Sequence, residues 1–116
     1  MKKIYHLATC DTSRKILKEV GAEKKGAALQ DIKTEKITAA QIDEMKKMAG
    51  SYEALFSRKA LKYRSMGLHE KQLTEKDYRK LILEEYTFLK RPVAIVDNAI
   101  FIGNTKAVVE ALKAAL

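Results

Sequence analysis

The chain has 116 residues, 47% of them hydrophobic and 33% charged, with one proline, one cysteine and a formal charge of +8 at pH 7. This length predicts one compact domain, and the apolar content excludes a disordered chain. No run approaches the roughly 20 apolar residues of a transmembrane helix, and the N-terminus lacks the apolar stretch of a secretion signal. A single cysteine excludes an internal disulfide. We therefore predict a small soluble cytoplasmic protein, monomeric and without membrane contact.

The basic excess is spread along the chain. Twenty-three Lys and Arg stand against fifteen Asp and Glu, but the excess is never more than two in any block of ten residues. A net positive charge favours an anionic partner. Because no continuous basic segment forms, the pattern indicates a solvated lysine-rich surface and argues against direct nucleic-acid binding.

The N-terminal third predicts a β-α-β unit. Residues 3–8 have the β-branched and aromatic content of a strand, and a polar turn follows at residues 9–13. From Arg14 the spacing of apolar residues predicts a helix, which ends at Gly21, a residue that tolerates positive φ. Residues 27–32 predict a second strand.

The middle of the chain predicts helices. Thr38 and Gln41 have the spacing of a capping box, and Gly50 ends the helix that they open. Residues 52–66 have an irregular apolar pattern, which predicts a short helix, a loop and a further helical turn. Thr74 is a good N-cap for the helix that follows.

The C-terminal part predicts a hairpin and a last helix. Pro92 ends the helical region, because proline lacks an N–H and restricts the residue before it. Residues 93–96 predict a buried strand, which returns through a turn at Asp97–Asn98 into residues 99–102. The last helix should bury its apolar face, consisting of Val108, Ala111, Leu112 and Ala115. The predicted class is therefore α/β: β-α-β, a helical insertion, then β-β-α.

Cys10 is the residue best placed to carry chemistry. It lies between a strand and a helix, where unpaired N–H groups and the helix dipole stabilise a thiolate, the nucleophilic form. His6 and Arg14 flank it at four residues on either side, and Ser13 can donate a hydrogen bond to the thiolate. The alternative interpretation is a buried cysteine that serves as a small apolar residue. The one Cys and two His lack the spacing of metal ligands, so no metal site is predicted. The chain also has no glycine-rich phosphate-binding loop, so the sequence does not predict nucleotide binding.

Several short motifs, in this order and spacing, resemble the arsenate reductase/Spx family of thioredoxin-like proteins over nearly the whole chain. The matching pieces are Ile4-Tyr5-His6, Cys10-Asp11-Thr12-Ser13-Arg14-Lys15, Leu55-Phe56-Ser57-Arg58, Tyr63-Arg64-Ser65-Met66-Gly67-Leu68 and Lys90-Arg91-Pro92-Val93. The resemblance implies a single thioredoxin-like domain, with halves at about residues 1–33 and 90–116 and a helical insertion at about 34–89. It also implies a cis peptide bond at Pro92, beside the active cysteine.

The resemblance also implies roles for individual residues. In the arsenate reductases of this family a cysteine attacks arsenate, and glutathione with glutaredoxin restores the thiol. By this likeness Cys10 is the nucleophile, His6 helps to lower its pKa, and Arg91 binds the oxyanion with its fork of donors. A second oxyanion-binding arginine of the family aligns with Ser57 when the alignment is extended from Tyr63 without a gap. It aligns with Arg58 when the alignment is shifted by one residue. No bound cofactor is implied.

Two departures from the reductase pattern keep alternatives open. Residues 102–105 lack the family's third oxyanion arginine, and Leu7-Ala8 replaces the usual Asn-Pro. The motif Cys10-Asp11-Thr12 is similar to the cysteine motif of a related branch of the family, and that branch is proposed to contain glutathione-dependent thiol reductases. The sequence thus predicts a thiol-dependent oxidoreductase that acts on arsenate or a disulfide, with glutathione or glutaredoxin as reductant. The alternative is a regulator similar to Spx that binds RNA polymerase without redox chemistry, since Ser13 replaces the second Spx cysteine.

Overall fold

The computed structural model describes all residues, 1–116, and the chain divides into two compact units. The first unit contains Met1–Lys36 and Arg91–Leu116, and the second contains Ile37–Lys90. No helix combines the length and the apolar character that crossing a membrane requires. In chain order the elements are β1 (Lys2–His6), α1 (Asp11–Val20), β2 (Ala28–Asp31), α2 (Ala39–Ala49), α3 (Leu61–Ser65), α4 (Glu75–Glu84), β3 (Val93–Val96), β4 (Ala99–Ile102) and α5 (Lys106–Ala115).

The first unit is built on a four-stranded sheet in the order β2-β1-β3-β4. β1 is parallel to β2 and antiparallel to β3, and β3 is antiparallel to β4. Ile4 in β1 lies opposite Leu29 on one side and Ala94 on the other. All four residues of β3 are buried, as the unbroken apolar run predicts. The predicted β-α-β and β-β-α order is confirmed.

The core of this unit lies between the sheet and the helices α1 and α5. Its buried members are Ile4, Ile16, Val20, Ala22, Ala94, Val96, Val109 and Leu112. The predicted inner face of α5 is wrong in part, because Val109 and Leu112 are buried whereas Ala111 and Ala115 are exposed. Alanines make this helix apolar on more than one side, and the larger side chains of Val109 and Leu112 gain more from burial.

The helix α1 begins three residues earlier than predicted. Its first residue is Asp11, and Cys10 is the N-cap. The polar residues that predict a turn before Arg14 also suit a first helical turn, where a carboxylate meets the positive end of the helix dipole. The predicted end of the helix is confirmed, since Gly21 adopts φ 68° and its N–H donates to Lys18.

The second unit consists of short helices with local caps. The predicted capping box of Thr38 and Gln41 is confirmed, and Thr74 forms another with Asp77. Residues 52–66 contain a 3-10 helix at Glu53–Leu55 followed by α3, as predicted in outline. Two further 3-10 helices lie at Leu68–Glu70 and Tyr86–Phe88.

The core of the second unit is aromatic at its centre. Phe56 is fully buried, and its ring stacks on Phe88 with the centroids 5.1 Å apart. The rings of Tyr78 and Tyr63 lie 4.9 and 6.0 Å from the same ring. The backbone of Phe56 also forms an isolated bridge with Leu89. Phe56 is therefore the central packing residue of this unit.

Ion pairs and hydrogen bonds to carboxylates connect the exposed polar residues of the second unit. Arg79 donates to both carboxylate oxygens of Asp43, at 2.9 and 3.2 Å, and the Tyr52 hydroxyl donates to Asp43 at 2.7 Å. These contacts, led by Arg79, lower the pKa of Asp43 to about 2. The Glu75 carboxylate accepts the N–H groups of Tyr52 and Glu53, at 2.7 and 3.0 Å.

Candidate active site at Cys10

Cys10 is held at the junction of β1 and α1. Its N–H donates to the carbonyl of Leu7 at 3.0 Å, which closes a tight turn after the strand. Its backbone is extended, with φ −98° and ψ 117°, and its carbonyl accepts the N–H of Arg14 at 3.1 Å as the first bond of α1. The thiol is free and partly buried. The first turn of α1 therefore presents its unpaired N–H groups to the sulfur.

The surroundings of Cys10 favour the thiolate. Partial burial raises the pKa of the thiol, but the N–H and hydroxyl of Ser13, the N–H of Thr12 and the charge of Arg91 lower it, and the net shift is downward. Hydrogen bonds and positive charge stabilise the charged form, and the charged form is the nucleophile. The predicted position of Cys10 at a helix N-terminus is confirmed.

Ser13 is fully buried beneath this turn. Its Oγ has no hydrogen-bond partner of ordinary geometry, yet its hydroxyl contributes to the lowered pKa of Cys10. A buried hydroxyl without a partner is costly. The Cys10 sulfur is thus the acceptor that this hydroxyl meets when the thiolate forms.

His6 is the last residue of β1, and its carbonyl accepts the N–H of Ile32 at 2.9 Å. The ring is half-buried, and its Nδ1 is buried without a hydrogen-bond partner. A neutral imidazole nitrogen can donate or accept a proton, depending on the tautomer. The role of His6 beside Cys10 stays a prediction.

Arg91 and Pro92 lie where the chain enters β3. The peptide bond between them is cis, which confirms the prediction at Pro92. The charge of Arg91 is among the causes of the lowered pKa of Cys10, so the guanidinium contributes positive potential at the sulfur. The carbonyl of Pro92 accepts the N–H of Gly103 at 2.9 Å, which fixes the loop before α5 to this segment.

The other two predicted arginines are engaged with carboxylates. The Arg14 guanidinium donates to Asp11 within the first turn of α1. Arg58 lies in the second unit and donates to Glu53 at 2.7 Å and to the Tyr78 hydroxyl at 2.9 Å. Glu53 is the main cause of the raised pKa of Arg58. Roles for Arg14 and Arg58 at the active site stay predictions, as does the alternative of Ser57.

Sequence reasoning missed Thr12, whose N–H helps to lower the pKa of Cys10. A helix predicted to begin at Arg14 hides the first-turn N–H of Thr12, whereas Ser13 is predicted as a donor through its hydroxyl. Asp11 was the available signal, since an acidic residue directly after an N-cap position is typical of a first turn. No group of three or more His, Cys, Asp or Glu side chains could hold a metal ion.

The chain belongs to the ArsC family, whose sequence model matches residues 5–112. No curated protein sequence matches it significantly. Among solved structures, an arsenate reductase (ArsC) related protein from Brucella melitensis is 25% identical, with a TM-score of 0.73 over 95% of this chain and 92% of that one. The arsenate reductase from Vibrio cholerae is 16% identical, with a TM-score of 0.79 over 99% and 97%. An ArsC family related protein from Bacteroides fragilis is 18% identical, with a TM-score of 0.80 over 96% of each chain. The predicted family and the α/β thioredoxin-like fold are confirmed.

Proposed function

We propose that the chain is a thiol-dependent oxidoreductase in which Cys10 is the nucleophile and an external thiol is the reductant. The observation that carries the proposal is the lowered pKa of Cys10 at the start of α1, where Ser13, Thr12 and Arg91 together outweigh the effect of burial. Membership of the ArsC family supports the same class of chemistry.

The first step is thiol–disulfide exchange. The Cys10 thiolate attacks one sulfur of a mixed disulfide between glutathione and a substrate thiol, and a new sulfur–sulfur bond forms between Cys10 and glutathione. The bond to the substrate breaks, and the substrate leaves as a thiolate that takes a proton from water. Donors at the attacking sulfur favour this step because they increase the thiolate fraction near neutral pH.

The second step needs another molecule, because Cys10 is the only cysteine. A second glutathione, as thiolate, attacks the sulfur of the glutathione that is bound to Cys10. The bond to Cys10 breaks, Cys10 leaves as a thiolate, and oxidised glutathione forms. Over the cycle, one glutathione and the mixed disulfide become one substrate thiol and one glutathione disulfide. Glutaredoxin is the alternative reductant: its own cysteine thiolate attacks the same glutathione sulfur and releases Cys10, and a free glutathione then removes the bound glutathione as the disulfide. Ser13 stabilises the leaving sulfur in this step but cannot attack the mixed disulfide.

Arsenate is the second candidate substrate, and the charge that Arg91 adds near Cys10 favours it. A guanidinium suits a tetrahedral oxyanion because its donors are fixed in a fork. The loop Ile102-Gly103-Asn104-Thr105 offers no second arginine to such an anion. We therefore place a disulfide substrate first and arsenate second.

The test is turnover by the whole chain of a glutathionylated peptide, with glutathione as reductant and oxidised glutathione as the product measured. Wild type should turn over, and Cys10→Ser should reduce the rate to that of the uncatalysed exchange while circular dichroism shows a folded chain. Arsenite production from arsenate, in the same buffer, ranks the second substrate. Equal turnover by wild type and Cys10→Ser would contradict the proposal.

The regulator similar to Spx gives the opposite pattern. Binding to RNA polymerase requires a surface and no thiol chemistry, so Cys10→Ser should leave such binding intact. Polymerase binding by both proteins, together with no thiol or arsenate turnover by wild type, would replace the oxidoreductase with the regulator.

A further inference from the structure

A groove of about 440 Å³ lies along the outer side of the first unit, between α1 and α5. Pockets that bind small molecules in proteins have volumes of about 300–1,000 Å³. The groove is lined by both helices and by the loop before α5, and its charged and polar lining consists of Thr12, Lys15, Glu19, Asn104, Lys106, Glu110 and Lys113. Neither Cys10 nor the residues predicted to assist it line this groove.

The two helices run in the same direction. β1 and β4 are both antiparallel to β3, so they are parallel to one another, and each is followed by a helix that packs on the same core. Beyond the end of α1, the Lys25 ammonium donates to the carbonyl of Lys113 near the end of α5, at 3.2 Å. The starts of both helices therefore lie at one end of the groove and their last turns at the other.

The charges of the groove alternate in sign along its length. Thr12, Lys15, Asn104 and Lys106 lie at the end formed by the helix starts. Neither Lys15 nor Lys106 forms an ion pair with a carboxylate of the chain, so both ammonium groups are available to an anion. Glu19 and Glu110 lie further along the groove and provide negative charge there, and Lys113 in the last turn of α5 adds a positive charge at the far end.

The positive end of the groove adjoins the nucleophile. Thr12 lines the groove, and its N–H is one of the groups that lower the pKa of Cys10. Asn104 follows Gly103, whose N–H is bonded to the carbonyl of Pro92 at 2.9 Å. A ligand that extends from the sulfur along the groove would meet Lys15 and Lys106 first, Glu19 and Glu110 next, and Lys113 last.

We infer that this groove binds the external thiol, and that the thiol is a small peptide with two carboxylates and one ammonium group, such as glutathione. Lys15 and Lys106 pair with a carboxylate, while Glu19 and Glu110 receive the ammonium group. This inference rests on the proposed function, because the groove would bind the external thiol that forms a mixed disulfide with Cys10 and is then released from it. Neutral small thiols would have nothing to engage there.

The first experiment measures binding without chemistry. S-methylglutathione keeps the charges of glutathione but cannot form a disulfide, so its titration into the wild-type chain is followed by amide chemical shifts. The amides of Thr12, Lys15, Asn104 and Lys106 should move. Two exposed ion pairs are worth about tenfold in affinity, so Lys15→Ala/Lys106→Ala should weaken binding by about that factor. The matched variant Lys18→Ala/Lys24→Ala removes two lysines of the same unit outside the groove and should change little.

The second experiment separates the groove from the proposed function. In turnover, Lys15→Ala/Lys106→Ala should raise the KM for glutathione about tenfold and should reduce the preference for glutathione over 2-mercaptoethanol by the same factor. An unchanged KM, or chemical shifts confined to another surface, would overturn the groove site while turnover upholds the oxidoreductase. Binding of S-methylglutathione in the groove, with no turnover by any thiol, would support the site and contradict the proposed function.

Discussion

The two units of the chain differ in their buried polar atoms, although both contain exposed ion pairs such as Arg14 with Asp11 and Arg79 with Asp43. In the second unit, carboxylates meet cations or backbone N–H groups, as Asp43 meets Arg79 and Glu75 meets the N–H of Tyr52. In the first unit, the Oγ of Ser13 and the Nδ1 of His6 are buried without a hydrogen-bond partner of ordinary geometry. Both atoms belong to residues near Cys10 in the sequence.

This difference separates structural from reactive polar groups. Paired charges stabilise a fold when their geometry is fixed, whereas buried unpaired groups cost stability. This loss of stability is tolerated where the buried group gains a hydrogen-bond partner in another protonation state of the site. For Ser13 that state is the thiolate form of Cys10. We therefore expect substitutions in the second unit to change stability, and substitutions around Cys10 to change reactivity.

The largest expected effect is on stability and lies in the second unit. Phe56→Ala removes the ring that contacts Phe88, Tyr78 and Tyr63, and should lower the free energy of unfolding by about 3–5 kcal/mol. Chemical denaturation followed by circular dichroism measures it. The matched control is Leu61→Ala, whose side chain is 91% exposed and should change stability by less than about 0.5 kcal/mol. Comparable losses in the two variants would refute the aromatic core as the centre of this unit.

The next effect contrasts stability and reactivity at one residue. Ser13→Ala removes a buried hydroxyl that meets only the sulfur of Cys10, so the free energy of unfolding should hold or rise by about 1 kcal/mol at a pH at which Cys10 is a thiol. The same change removes a donor to the thiolate, so the pKa of Cys10 should rise. The pH dependence of alkylation by iodoacetamide measures the pKa, and wild-type chain and free glutathione serve as references. A destabilised Ser13→Ala with an unchanged thiol pKa would reverse the contrast between the units.

A smaller effect is expected at Arg91, whose charge is the last of the causes that lower the pKa of Cys10. Arg91→Gln should raise the alkylation pKa, and added salt should reduce the difference from wild type because it screens the charge. Lys18→Gln removes a cation from the far part of α1 and serves as the control. If both variants shift the pKa equally, the cause is the net charge of the chain and not the position of Arg91.

Features set by residues near in sequence could be predicted from the residues themselves, whereas features set by distant residues could be predicted only where the family resemblance supplied them, as at the cis peptide bond of Pro92. The capping box of Thr38 depends on residues three apart, and the apolar run of β3 on four consecutive residues. The bonds of Arg58 to Tyr78 and of Arg79 to Asp43 join residues 20 and 36 apart, so nothing local indicates them. The polar residues after Cys10 are ambiguous between a turn and a first helical turn, and this ambiguity hid the N–H of Thr12 as a donor to the thiol.

The smallest expected effect tests the paired charges of the second unit through pH. The pKa of Asp43 is about 2, below its ordinary value of 3.8, mainly because Arg79 donates to the carboxylate. A carboxyl group with a lowered folded pKa adds stability above its ordinary pKa, and that stability is lost as pH falls toward the folded value. Asp43→Asn should therefore be less stable than wild type above about pH 4, and the two should converge near pH 2.

Glu44→Gln removes the neighbouring carboxylate of α2, which has no ion-pair partner, and serves as the matched control for Asp43→Asn. Urea denaturation at several pH values and two salt concentrations measures the differences between the three proteins. The gap for Asp43→Asn should shrink with salt because the pair is exposed to solvent. A gap that is the same at both ends of the pH range would show that the substitution disturbs packing, and that the carboxylate pairing contributes nothing to the stability of this unit.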